Sequence, residues 1–175
     1  MSAELLSDFY PAIRTVDRLT DVARLGLDRE AERPFLRPHV ERVAERLDTP
    51  YVIIDVLLND AQVFLAELGP IPEFLQEAGG TPLEWAFCQP LVTERAPRTV
   101  PDLATDPLFR DNPLVKAGGV RSYAGAPLVS QSGHVLGGVC GLDVEPRPFS
   151  QGDLVFLKEI ADEVVVLLEE RADRP

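Results

Sequence analysis

Two thiols, Cys88 and Cys140, and a loop rich in guanidinium, carboxylate and aromatic groups hold most of the chemistry this chain offers. Neither cysteine has a Lys, Arg or His beside it to favour the thiolate, and free cysteine is among the most buried residue types, so packing is the first expectation for both. Two cysteines do not make a secreted disulfide framework and their separation matches no zinc pattern, so both are expected to be reduced. In the loop from Asp102 to Tyr123, Arg110 and Arg121 offer planar guanidinium groups to an anionic ligand. Asp102 and Asp106 can accept from a donor, and Phe109 and Tyr123, with Trp85 upstream, present stacking surfaces. The same residues have plainer uses: Asp102 and Asp106 as caps, Phe109 as a plug between lid and core, Arg110 as a salt-bridge partner of Asp111. His39 lies in a charged helix and His134 at a hairpin tip; both are expected at the surface, and no metal or haem site is expected. No P-loop, GxSxG elbow, HExxH or EF-hand pattern occurs, so no catalytic set is assigned.

Around these groups helices and short strands alternate. Residues 4 to 27 place Leu6, Phe9, Ile13, Val16, Leu19, Ala23 and Leu27 at steps of three or four, a helical stripe that Pro11 starts or interrupts, with nothing obvious of its own chain to bury against. A helix from Pro34 to Leu47 ends at Asp48-Thr49-Pro50; Tyr51 to Leu58 is a buried strand, Asn59-Asp60 turns it, and Gln62 to Leu68 returns. Glu73 to Ala78 is one helical turn and Gly79-Gly80 a joint. Thr81-Pro82 caps a short helix from Leu83 to Leu91, which puts Trp85 and Cys88 on one face. A strand near Arg98 to Val100 precedes the loop. Ser122 to Val129 and Val135 to Leu142 form the clearest hairpin, turned at Ser132-Gly133, in which Cys140 shares a face with Gly138 and Leu142. Gly137, Gly138 and Gly141 mark either a bulge or the close approach of another backbone or a ligand. Ser150 then caps a helix from Gln151 to Arg171, with Asp153 in its first turn and a wide apolar face that includes Leu157, Ile160, Val164 and Leu168. This order defines an α+β fold about an antiparallel sheet. Apolar helices at opposite ends of the chain point to a bundle shared between two subunits, a homodimer.

A chain of 175 residues, 45% of them hydrophobic, suffices for one domain around one core. Its formal net charge of −12, from 29 acidic against 17 basic residues, opposes binding to nucleic acid or to an anionic membrane surface. The first residues are acidic and lack a basic leader, and no stretch has the length to span a bilayer, so the expected location is the cytoplasm.

The series VPD from Val100, DPLFRDNPLV from Asp106, SYAGAPL from Ser122 and GHVLGGVCGLD from Gly133, with Phe87-Cys88 upstream, resembles the C-terminal half of a GAF domain of a Phe-Cys subgroup. The likeness continues through Arg18 to Gly69 before it and the helix after Ser150, covering residues 18 to 170. It implies a GAF-like central antiparallel sheet, with N- and C-terminal helices on one face and a short helix plus loop over a pocket on the other. The implied organisation is a helical extension at 1–17, one domain at 18–170 and a tail at 171–175. It implies a sensory module that binds an unidentified small molecule, with Trp85, Cys88, Asp102, Phe109, Arg110, Arg121, Tyr123 and Cys140 as the ligand-binding set and no cofactor identified. The module would act through rearrangement of a dimer or of a signalling partner such as a kinase or transcription regulator. In GAF domains the short helix and the last strand border one cavity, which brings Cys88 and Cys140 together; a sensor disulfide then needs Cα atoms within ~4.4–6.8 Å. Two other readings are a ligand-free interaction module whose pocket is filled by Trp85 and Phe109, and a thiol redox sensor or methionine sulfoxide reductase-like enzyme using Cys88 and Cys140. One cysteine in each half departs from those reductases, so an enzyme is not expected. Gln89-Pro90 and Gly141 stand where the subgroup usually has a His-like polar residue and a larger aliphatic one.

Overall fold

The computed structural model describes residues 2–174; Met1 and Pro175, the outer ends of the expected extension and tail, lie outside the described residues. Six strands, β1 (Tyr51–Leu57), β2 (Ala61–Leu68), β3 (Gly80–Pro82), β4 (Arg98–Val100), β5 (Ser122–Val129) and β6 (Val135–Asp143), form one antiparallel sheet in the order β3-β2-β1-β6-β5-β4. β1 and β6 are its central pair and are buried on both faces, which is why their sequences read as apolar runs rather than alternations. On one face lie α3 (Val16–Arg24), α4 (Arg37–Leu47) and α8 (Gln151–Ala172). Val40, Val43 and Leu47 of α4 and Leu157, Ile160, Val164 and Leu168 of α8 close over Val52, Ile54 and Val56. α8 starts as its sequence demands: Asp153 N–H donates to the Ser150 hydroxyl at 3.0 Å and Ser150 N–H to the Asp153 carboxylate at 2.9 Å, a reciprocal cap that contributes about 1 kcal/mol. On the other face Ile53, Leu57, Cys140 and Leu142 lie under Phe87, Leu91, Leu103 and Phe109, carried by irregular chain and the short helices α5 (Glu73–Ala78), α6 (Leu91–Glu94) and α7 (Pro113–Lys116). No helix among the described residues is long and apolar enough to cross a membrane.

The N-terminal stripe is not one helix. It breaks into α1 (Ser2–Ser7), α2 (Tyr10–Ile13) and α3, with Thr15 extended and its hydroxyl accepting the Arg18 N–H. The segment also has its own chain to bury against. Leu6 and Ile13 join the core under Phe87, whereas Val22, Leu25 and Leu27 join the core under α8, so the arm passes around the end of the sheet. Val16, an apolar member of the stripe, is 77% exposed, and Arg18 beside it is buried. A β-bulge explains this inversion. Leu128 pairs with Gly137 and Val129 with Val135, leaving Leu136 as the extra residue. The bulge presents two successive carbonyls, and the Arg18 Nη1 donates to both, Val135 at 3.2 Å and Leu136 at 3.1 Å. Its Nη2 donates to the Leu57 carbonyl and its Nε to that of Ile13 at 2.7 Å. Burial lowers the guanidinium pKa to about 10, which leaves it protonated at neutral pH.

A second polar cluster ties α3, the β5–β6 turn and α8 together. Arg24 grips Glu169 with both terminal nitrogens, at 2.9 and 3.0 Å, and donates through Nε to Asp21 at 2.8 Å. Asp21 also accepts from the Ser130 hydroxyl and sits 3.1 Å from His134 Nδ1, and Glu169 accepts from the Gln131 N–H at 2.9 Å. Arg24 holds the Glu169 carboxyl below the usual range, against its burial. Burial works to raise Asp21, but hydrogen bonds from Ser130, Arg24 and His134 outweigh it and hold that carboxyl low too. A depressed native pKa gives stability that is present above the unfolded-state value and lost as pH falls through the native one. Glu169→Gln is therefore expected to cost about 1–3 kcal/mol at neutral pH, and its deficit relative to the parent should shrink below about pH 4. Urea midpoints of both proteins across that range check it; a deficit that stays constant with pH removes the ion pair as its cause.

Two other expectations change. His39 is buried, not exposed, because α8 covers that side of α4 and sets the Glu163 carboxylate 3.5 Å from its Nε2. Thr81-Pro82 belongs to β3 rather than capping a helix, and residues 83 to 91 form a 3-10 turn, Leu83–Trp85, then irregular chain to α6. A helix through Gln89 is opposed by Pro90, which disfavours helical backbone in the residue before it; Pro90 instead stands at the start of α6.

Candidate functional site

A cavity of about 80 Å³ lies between the sheet and the segments over it. Its walls are apolar: Ile53 of β1, Phe64 of β2, Leu142 of β6, Ile71 and Leu75 around α5, Phe87, and Leu114 and Val120 from the covering loop. Gln62, Thr81, Cys88 and Cys140 supply its polar atoms. From the cavity wall a hydrogen-bonded row runs inward: Thr81 Oγ1 donates to Gln62 Oε1 at 2.8 Å, and Gln62 Nε2 donates to Asp55 Oδ2 at 2.7 Å. The Asp55 Oδ1 accepts the Gly138 N–H at 3.0 Å. Asp55 is fully buried in the middle of β1, with a carboxamide, a thiol and a backbone N–H as partners and no cation among them. Burial pushes its pKa up to about 6, against the hydrogen bonds from Gln62, Cys88 and Gly138.

Cys88 and Cys140 do meet on this face. The Cys88 thiol is pushed up by its hydrogen bond with Cys140, by burial and by the Asp55 charge, and the Tyr123 hydroxyl donates to its sulfur at 3.5 Å. Burial likewise raises the Tyr123 phenol, with the neighbouring thiols acting in the same direction. Glycines make the room. A Cβ on Gly138 would lie 3.0 Å from the Cys88 sulfur and 2.8 Å from a Leu91 methyl, and one on Gly125 would lie 2.1 Å from the Tyr123 hydroxyl. The glycines of β6 thus serve both purposes left open by their pattern: they flank a bulge, and they admit a close neighbour.

Of the eight residues picked from the sequence, Cys88 and Cys140 line the cavity and Tyr123 lies fully buried against Cys88. Phe109 is fully buried edge-on to Phe87, with centroids 5.2 Å apart, and acts as the plug between loop and core. Trp85 sits half-exposed outside the cavity, its carbonyl accepting from Asn112 Nδ2 at 3.1 Å; with the helix from 83 to 91 broken, it no longer shares a face with Cys88. Asp102 and Arg121 spend their charges on each other in a two-pronged pair, both contacts at 3.1 Å, while Asp102 also caps the Ala104 N–H. Arg110 is exposed. The loop therefore meets the cavity through Leu114, Gly118 and Val120 rather than through its charges. Asp55, Gln62 and Thr81 join the site without belonging to the set expected from the sequence; the signal available for them is an Asp inside the apolar run YVIIDVL, at a position that shares a sheet face with Ile53 and Leu57.

A central sheet with two terminal helices packed on one face and a lidded cavity on the other defines the GAF class, and the model of the GAF domain family matches residues 32–168. The chain belongs to that family. It is 32% identical over 142 residues to a cyclic di-GMP phosphodiesterase of Pseudomonas aeruginosa, a stretch that covers 80% of this chain and 23% of that protein, so the chain spans about a quarter of that relative's length. A type II free methionine-R-sulfoxide reductase from Thermoplasma acidophilum has the same fold, with a TM-score of 0.63 and 19% identity over 79% of this chain and 92% of that one. So does a GAF domain/HD domain protein from Geobacter sulfurreducens, with a TM-score of 0.64 and 12% identity over 78% and 91% of the two chains.

Proposed function

We propose that this protein is a regulatory GAF domain that binds a small molecule between the sheet and the 102–123 loop and passes the state of that cavity to its terminal helices. One observation carries the reading: an apolar cavity in which, beside the two thiols, Thr81 and Gln62 form a hydrogen-bonding side that leads to the buried Asp55 carboxyl. This suits a compact apolar molecule with one hydrogen-bonding group. The cavity is smaller than the roughly 300–1,000 Å³ of ordinary ligand pockets, so anything larger enters by displacing Leu114 and Val120 with the loop. Outward coupling has a route through the strands. Asp55 and Cys140 lie on β1 and β6, the same two strands whose carbonyls hold Arg18 and with it the N-terminal arm. A ligand that shifts β1 against β6 biases how that arm packs, and hence a homodimer or a cytoplasmic partner such as a kinase or transcription regulator. No catalytic step is part of the reading: the hydrogen bond with Cys140, burial and the Asp55 charge keep the Cys88 thiol protonated and a weak nucleophile.

Native mass spectrometry of protein purified from its own host tests this. A retained molecule that is lost on denaturation is expected, and Val120→Trp, which fills the cavity from the loop side, should abolish it with circular dichroism unchanged. Retention of the same mass by Val120→Trp would place the molecule elsewhere. An empty protein whose melting temperature rises with Val120→Trp favours the ligand-free interaction module, the reading that the small volume and the buried Phe109 support.

A further inference from the structure

Asp55, Cys88 and Cys140 come from three separate parts of the chain, yet their carboxylate oxygen and two sulfurs lie within 4.8 Å of one another, the only such group of three among the described residues. All three side chains are buried, and both cysteines also line the cavity. We infer that this cluster is a binding site for a divalent thiophilic cation of the zinc class, held by two thiolates and one carboxylate with a fourth position open toward the cavity.

Four features of the geometry support it. On a tetrahedral zinc two sulfurs stand about 3.8 Å apart and a sulfur and a carboxylate oxygen about 3.5 Å apart, so ligand atoms within 4.8 Å need a contraction of at most about 1.0–1.3 Å. The carboxylate is already oriented by Gln62 and by the Gly138 N–H, the kind of supporting hydrogen bond that fixes a metal ligand. The partners of Asp55 among the described residues are a carboxamide, a thiol and a backbone N–H on a fully buried carboxyl, so a bound metal ion would supply a counter-charge that they do not. Gly138 is bare where a side chain would press on the Cys88 sulfur. Binding exchanges protons for metal: two S–H bonds break, two S–metal bonds form, and both protons leave to solvent without any change of oxidation state. Two thiolates favour zinc over magnesium or calcium, and three protein ligands leave a position for water or for a donor atom of a cavity ligand. The site shares a wall with the cavity but does not depend on the small-molecule reading, since metal uptake by ligand-free protein and retention of a molecule by metal-free protein are separate results.

The test uses the full chain, reduced and stripped of metal, titrated with Co²⁺ and then Zn²⁺. One equivalent of Co²⁺ should produce thiolate charge-transfer and tetrahedral ligand-field absorption that Zn²⁺ then erases. Asp55→Asn should weaken binding by at least about 10-fold, and the double substitution Cys88→Ser with Cys140→Ser should abolish the thiolate bands. Absence of those bands at one equivalent, or their persistence in the double variant, overturns the site. X-ray absorption at the zinc edge of the unaltered protein gives an answer independent of any effect of core substitutions on folding. Two sulfur neighbours at about 2.3 Å are expected, and a shell of nitrogen and oxygen alone rules the site out.

Discussion

Replacing Arg18 with Ala is expected to cost about 3–5 kcal/mol of folding stability, lowering the melting temperature by roughly 10 °C, and to free the arm of residues 2–27 from the sheet. The size follows from what the guanidinium does. It serves four carbonyls, of Ile13, Leu57, Val135 and Leu136, from a position where the side chain is only 2% exposed. Two of them flank the bulge in the β5–β6 ladder, so removing the donor leaves buried acceptors that water reaches only if the arm lifts away. Arg18→Lys keeps the charge but not the planar fork, and should fall between the parent and Arg18→Ala. Denaturant unfolding gives the energy, and amide exchange over residues 2–27 shows whether the loss is local. A cost within 1 kcal/mol, with exchange unchanged, would mean that the arm is held by Leu6, Ile13 and Val22 alone.

Gly137→Ala should be among the most damaging one-carbon changes in the chain, at about 4 kcal/mol or more. A Cβ there would stand 2.1 Å from the backbone oxygen of Asp55 and 2.7 Å from its Oδ1. Neither can withdraw cheaply, because the first is part of the central β1 strand and the second accepts the Gly138 N–H. β1 and β6 would have to separate at the centre of the sheet. Gly152→Ala is the control: it lies in the first turn of α8, its nearest neighbour is the flexible Arg46 side chain at 3.2 Å, and helix propensity favours Ala, so it should be neutral or stabilising by up to about 1 kcal/mol. Equal unfolding midpoints for the two variants would contradict the close approach of β6 to Asp55.

The elements legible in the sequence are those whose causes are local. Asn59-Asp60 and Ser132-Gly133 mark turns by backbone chemistry, Ser150 and Asp153 cap each other across three residues, and the apolar face of α8 repeats with the helix period. What escaped depends on partners far along the chain. A stripe with helical spacing from residue 4 to 27 looks the same as one helix or as three, and only the distant bulge makes Arg18 an inside residue and Val16 an outside one. β3 is three residues long and exists because Gly80 to Pro82 find the edge of β2. Cys88 and Cys140 were chosen for their chemistry and they border the cavity, but Asp102 and Arg121, equally attractive by type, neutralise each other instead. The cysteine spacing matches no zinc pattern because the third member of the cluster is Asp55, which strand pairing brings near Cys140 and which the irregular chain packed over the sheet brings near Cys88.

The strand order carries a consequence for how the chain is made. During synthesis the β1–β2 hairpin can close early, but the other edge of β1 must wait for β6, and Arg18 must wait for carbonyls 117 and 118 residues later. Until then a ribosome-bound chain presents an open apolar edge and a cation with no acceptors, the state most prone to join a neighbour's strand. A chain halted before Val135 has no means of closing that edge, so incomplete products should be cleared or aggregate rather than persist as smaller folded forms.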